Sequence, residues 1–153
     1  GCRIGQATPA ATHLLKIACE VAVGKRAGMH IFGTDYDTPD GTCIRDYIHV
    51  EDLAAAHLRA LDHLRAGGES KTLNCGYGRG FSVREVLRTV EKVAGIRLAV
   101  SEGPRRPGDP SALVSRADRI RQELGWAPAH DDLEHIVRTA LAWERRLLAQ
   151  PMT

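Results

Sequence analysis

The apolar residues of this chain change spacing again and again, from three or four apart to two apart, and glycine or proline stands at almost every change. An α-helix repeats every 3.6 residues and a strand every two, so the pattern reads as alternating helices and strands. From Thr12 to Arg26 the residues Leu14, Ile17, Ala18, Val21 and Ala22 recur at helical spacing, and Gly24 and Gly28 end the run. Met29 to Gly33 reads as a strand, and Pro39-Asp40-Gly41 as a turn, since Pro presets φ and Gly supplies φ > 0. A second strand is expected from Cys43 to Val50, with Ile44, Ile48 and Val50 on one face and Arg45, Tyr47 and His49 on the other. Asp52 is placed to cap a helix running to about Leu64, with Leu53, His57, Ala60 and Leu61 on one stripe and Gly67-Gly68 as its stop.

Beyond these, Thr72 to Cys75 reads as a brief strand. Ser82 and Glu85 form a capping box for a helix whose Val86, Leu87, Val90, Val93 and Ala94 face inward until Gly95. Ile96 to Ser101 is expected to be another strand, and EGPRRPGDPS a stiff Pro/Gly-rich loop. A short helix is expected from Ala117 to Leu124, and Asp131 with Glu134 caps a last amphipathic helix to about Leu148. Alternation of this kind favours an α/β fold over an all-helical one.

At 153 residues the chain fits a single domain. It is 43% hydrophobic and 26% charged, the balance of a folded globular domain, and no apolar run reaches the roughly 20 residues of a membrane span. The net charge of +2 comes from interspersed Lys, Arg, Asp and Glu, without the clustered basic face that nucleic acid requires. Cys2, Cys19, Cys43 and Cys75 form no C-x-x-C pair, so buried thiols are expected rather than a zinc or redox site. The seven histidines include no H-x-x-x-H spacing, and His57 reads as a packed residue, so no metal site is expected. The chain opens Gly1-Cys2-Arg3 without an initiator Met, as a fragment or processed product would.

Several chemical motifs are incomplete. In Gly76-Tyr77-Gly78-Arg79-Gly80-Phe81, Phe81 takes the place of the third glycine of a dinucleotide fingerprint, so a tight turn is the better reading. Neither a G-x-S-x-G elbow nor a Tyr-x-x-x-Lys pair is present, and no catalytic residue is assigned. The loop GPRRPGDP is more informative. Its arginines could grip phosphate and Asp109 could bond sugar hydroxyls, but composition supports a solvated loop with a local ion pair equally well. Arg45, sharing a face with Tyr47 and His49, suits the wall of a polar pocket, and Asp46 could accept backbone hydrogen bonds beneath the sheet.

The stretch IFGTDYDTPDGTCIRDYIHVEDLAAAHLRAL, followed in order by LNCGYGRGFSVREVL, PRRPGDPSALV and ELGWAP, resembles the UDP-glucose 4-epimerase family, which belongs to the extended short-chain dehydrogenases/reductases. The resemblance covers nearly the whole chain from about Thr12. It implies that residues 1–153 are the C-terminal, UDP-sugar-binding α/β portion of such a protein, with 43–64 the last strand and helix of a Rossmann-type domain. It further implies that Arg45 and Arg106 hold the diphosphate of UDP-glucose or UDP-galactose and Asp109 the uridine ribose. Ile31-Phe32 and His13-Leu14 would line the uracil and sugar side, and Asp46 and Asp52 would be structural. By the same resemblance the whole protein is a cytoplasmic homodimer of galactose metabolism that oxidises the sugar at C4 with NAD and returns the hydride to the other face. The family's NAD loop and Tyr-x-x-x-Lys precede the matched region, so this chain alone is expected to be inactive. Two alternatives remain open: a non-catalytic UDP-sugar-binding fragment, or a related UDP-sugar epimerase or dehydratase.

Overall fold

The computed structural model describes residues 4–8 and 10–149; Cys2 and the chain's opening lie outside them. The elements run α1 (Leu14–Ala22), β1 (Met29–Phe32), β2 (Ile44–Arg45), α2 (Val50–Arg65), β3 (Phe81–Ser82), α3 (Val83–Ala94), β4 (Val100–Gly103), β5 (Ala112–Leu113), α4 (Asp118–Leu124) and α5 (Leu133–Ala149). The expected α/β mixture is present, with helices dominant and strands short.

α1, α3 and α5 pack on one another, and β1 closes the core beside them, paired in parallel with β4 from Met29↔Val100 to Phe32↔Gly103. Alternation along β1 turns Met29 and Ile31 inward and His30 and Phe32 outward. Ile31 meets Ala18, Val86, Val90 and Val137 in the main core, and a second cluster gathers around Trp126 with Ala56, Tyr77 and Ile136. The α3 capping box forms as read: Ser82 Oγ accepts from Glu85 N at 3.0 Å and the Glu85 carboxylate accepts from Ser82 N at 2.6 Å. The Ser82 hydroxyl also donates to Asp40 at 2.5 Å, which ties the 39–41 turn to the helix start. Burial works to raise the Asp40 pKa, but the bonds from Ser82 and Thr42 outweigh it and hold the carboxyl below its usual range.

Several expected elements differ. The second strand is only Ile44–Arg45, because Asp46 leaves the sheet and its carboxylate collects the amides of Tyr77, Gly78 and Ser115, each at 3.3 Å. Its two neighbours, antiparallel β3 and parallel β5, were not anticipated, as two residues carry no readable alternation. Tyr47 therefore packs against the main core, and the face it was to share with Arg45 and His49 does not continue. Thr72–Cys75 is not a strand: among the described residues no other strand lies alongside to take its backbone hydrogen bonds. The strand expected at Ile96–Ser101 is shifted to Val100–Gly103, since the Leu98 amide is captured by the Glu91 carboxylate at 3.0 Å. α2 is capped by His49, whose Nδ1 accepts from Glu51 N at 3.1 Å, and not by Asp52, which is buried one turn inside. Its inward residues are Asp52 and Ala56, while Leu53, His57 and Leu61 are exposed. At α5 the capping oxygen belongs to Asp132, bonded to Glu134 N at 3.0 Å, because Asp131 is engaged with Arg79.

Candidate anion site at the arginine loop

Two successive arginines on the 104–110 loop do different work. Arg105 lies 4.3 Å from the centroid of the Tyr36 ring and donates from Nε to Asp35 Oδ1 at 2.8 Å and from Nη2 to the Asp35 carbonyl. The Arg106 guanidinium lies 4.1 Å from the Phe32 ring centroid, and the side chain makes no hydrogen bond or ion pair with any described residue. A guanidinium lying over an aromatic ring with its five N–H donors open is set for a carboxylate or phosphate oxyanion. The Arg106 carbonyl accepts from Asp109 N at 3.2 Å, and this turn brings the Asp109 carboxylate back to an ion pair with Arg45 Nη2. Arg45 also donates to the Pro110 carbonyl at 2.8 Å and to the Ile44 carbonyl at 2.7 Å, which leaves two of its N–H groups unused. Gly33, at φ +83°, lets the chain turn sharply after Phe32; a Cβ there would press on the Tyr36 ring and the Arg105 side chain.

Of the residues read from the sequence, the structure thus brings Arg45, Arg106, Asp109 and Phe32 into one connected group. It does not add the side chains of the other three. Ile31 points into the main core, 3% exposed, because it alternates with Phe32 along β1. His13 is the exposed N-cap residue of α1, beside Gln6 at 3.0 Å, and Leu14 packs against the main core. Sequence reasoning missed Tyr36 and Asp35, the anchors of Arg105, and His30, which shares the outer face of β1 with Phe32 and sits 2.6 Å from Ser101 Oγ. The alternation along β1 was the available signal for His30; nothing local marked Tyr36.

The glycine-rich loop 76–80 does not fit a dinucleotide pyrophosphate. The Tyr77 and Gly78 amides that would face an anion already donate to Asp46, so a phosphate there would meet a carboxylate. Two concavities, of about 270 and 350 Å³, lie along Tyr77–Arg121 and Phe81–Glu134, and neither includes a residue of the arginine group.

His49, Glu51 and His130 place ligand atoms within 4.8 Å of one another. Both His49 nitrogens are engaged, Nδ1 by the Glu51 amide and Nε2 by Thr139 Oγ1 at 3.1 Å, so the ring is committed to the helix cap rather than to a cation. Burial, then the neighbouring His130, holds the His49 imidazole below its usual pKa. Its contribution is therefore complete above the unfolded value near 6.5 and is lost as pH falls through the lower folded value. His49→Asn keeps a cap that does not titrate. Denaturant melts at about pH 7.5 and about pH 5.5 are expected to show the wild-type chain losing more stability than the variant, and equal losses would contradict the role of the His49 ring.

Residues 4–76 match the NAD dependent epimerase/dehydratase family. A UDP-glucose 4-epimerase of Azospirillum brasilense is 65% identical over 145 residues, covering 95% of this chain and 42% of that protein. Among solved structures, the UDP-Glc/GlcNAc 4-epimerase of Campylobacter jejuni superposes with a TM-score of 0.80 at 54% identity, covering 93% of this chain and 43% of its own. The UDP-glucose 4-epimerase of Bifidobacterium longum, solved with NAD+ and UDP, gives a TM-score of 0.85 at 36% identity, covering 94% and 42%. The chain thus spans less than half the length of these relatives.

Proposed function

We propose that the chain, 65% identical over 145 residues to a UDP-glucose 4-epimerase, is the C-terminal UDP-sugar-binding portion of such an enzyme of the NAD dependent epimerase/dehydratase family, with Arg106 and Arg45 on the diphosphate. The observation that carries this reading is the Arg106 guanidinium, stacked on Phe32 with all its donors open beside an Asp109–Arg45 pair. Asp109 serves the uridine ribose hydroxyls, which a carboxylate accepts well, and the outer face of β1 at Phe32 serves the uracil. Ile31, His13 and Leu14 contribute through backbone or packing, given where their side chains point.

In the whole enzyme the reaction is the interconversion of UDP-glucose and UDP-galactose, with NAD accepting and returning the C4 hydride. The residues described here bind and orient the nucleotide, and the 76–80 loop, closed by Asp46, takes no part in holding NAD. The segment 43–64 is the seam to the dinucleotide-binding domain. Support comes from the α2 surface, where Val50 is 67% exposed, Leu58 62% and Leu64 52%, an apolar face uncovered in this chain. We extend the proposal to a cytoplasmic homodimer of galactose metabolism; no helix among the described residues is long and apolar enough to cross a membrane.

Arg106→Ala is expected to weaken UDP binding by about 2 kcal/mol while leaving the melting temperature close to wild type, because the side chain's contact is with the exposed Phe32 ring. Isothermal titration of UDP checks this, and equal affinities would sink the phosphate assignment. A second reading, an epimerase that also takes N-acetylated UDP-sugars, is favoured by the 54% identity to the Campylobacter jejuni enzyme.

A further inference from the structure

The two arginines of the loop raise a question that the UDP reading alone leaves open, namely why two identical side chains stand side by side when one is bonded to the protein and the other is not. Arg105 spends its fork on Asp35, through the side chain and the main-chain carbonyl, and its planar face on Tyr36. Tyr36 is 6% exposed and so offers a fixed surface, whereas Asp35 is a surface residue. The two arginines stack in parallel fashion on aromatics that flank Gly33: Arg105 on Tyr36 after it, Arg106 on Phe32 before it. A glycine at φ +83° makes that spacing possible, and any side chain at 33 would push against Tyr36 and Arg105 together.

We infer that Arg105 is a positioning residue for the nucleotide site: it bolts the 104–110 loop onto the 33–36 turn, so that Arg106 meets the ligand already in place. This rests on the proposed UDP reading of Arg106. The cost that Arg105 removes is the ordering of the loop and of the Arg106 side chain on binding, roughly 0.5 to 1.5 kcal/mol per immobilised side chain, which corresponds to about tenfold in affinity at its upper end. Its charge contributes little beyond this, since Asp35 neutralises it. The planar fork and face are what matter, and lysine has neither.

The test is UDP titration of the 153-residue chain carrying Arg105→Ala, Arg105→Lys, Arg106→Ala and the Arg105→Ala/Arg106→Ala pair, with thermal melts alongside. Arg105→Ala and Arg105→Lys are each expected to weaken UDP about tenfold, with melting temperatures close to wild type. In the Arg106→Ala background, Arg105→Ala is expected to add less than about twofold, because it acts through Arg106. Recovery of affinity by Arg105→Lys would make the effect one of long-range charge and overturn the inference. An unchanged affinity in Arg105→Ala with a weakened Arg106→Ala would overturn it too and leave the UDP reading standing. Should Arg106→Ala itself bind UDP like the wild type, the UDP reading fails and takes this inference with it.

Discussion

Glu144→Ala is expected to destabilise the chain by about 3 kcal/mol, more than truncating any residue of the arginine site. Glu144 is 1% exposed on α5 and is the shared acceptor of Lys16, itself 8% exposed on α1, and of Lys25 at 2.9 Å. Removing the carboxylate leaves a buried ammonium short of countercharge, a loss that typically costs 3 to 5 kcal/mol. Glu20, 3.4 Å from Lys16, keeps the cost at about the low end of that range. The neighbouring Cys19 thiol is pushed up to about 12, by burial first and by Glu144 next, so it stays protonated and takes no part. Replacing both partners, as Lys16→Met with Glu144→Leu, is expected to restore most of the stability, since a packed apolar pair avoids desolvating either charge. Urea unfolding of the single and double variants checks this, and a double variant no better than Glu144→Ala would show that the ion pair itself, rather than its breakage, sets the energy.

The second large effect concerns Asp52, which joins three segments that are distant in the sequence. Its carboxylate accepts from the Tyr77 hydroxyl at 2.5 Å, Ala129 N at 2.8 Å and His130 N at 2.9 Å, and its carbonyl accepts from Trp126 Nε1 at 2.9 Å. Asp52→Ala strands three buried or half-buried donors, and a loss of about 3 kcal/mol is expected from bonds worth roughly 1.5 to 3 kcal/mol each to a charged acceptor, partly recovered by water. Burial works to raise the Asp52 pKa, but the Ala129 amide, the Tyr77 hydroxyl and the His130 amide outweigh it and hold the carboxyl below its usual range. A depressed carboxylate contributes fully above its unfolded pKa near 3.9 and loses that contribution as pH falls through the folded value. The gap between wild type and Asp52→Asn, measured by urea unfolding, is therefore expected to be wide at neutral pH and to close below about pH 4. A gap that stayed constant with pH would contradict the role of the charge.

Asp52 also shows where sequence reasoning stops. An Asp at the start of an apolar-periodic run is a sound cap candidate, and nothing within its own stretch tells that its donors come from positions 77, 129 and 130. His49, three residues earlier, took the cap because its ring nitrogen reaches the Glu51 amide. The local signals that did hold are those complete within a few residues: the Ser82–Glu85 box, the Gly95 stop, the short strand opening at Met29. Short strands failed for the opposite reason. β3 and β5 are two residues long and exist only because Ile44–Arg45 lies between them. The arginine site was half legible. PRRPGDP marked the loop, and the resemblance singled out Arg106 and Asp109, but which arginine is open and which is bound depends on Asp35 and Tyr36, some 70 residues away.

The decisive observation is a crystal structure of the chain with UDP bound. The diphosphate oxygens are expected within about 3 Å of the Arg106 and Arg45 guanidinium groups, with the uracil over the outer face of β1 at Phe32. A UDP seated in the concavity of Tyr77, Ser115 and Arg121, with Arg106 still lying on Phe32 and touching no phosphate, would contradict the assignment of the site.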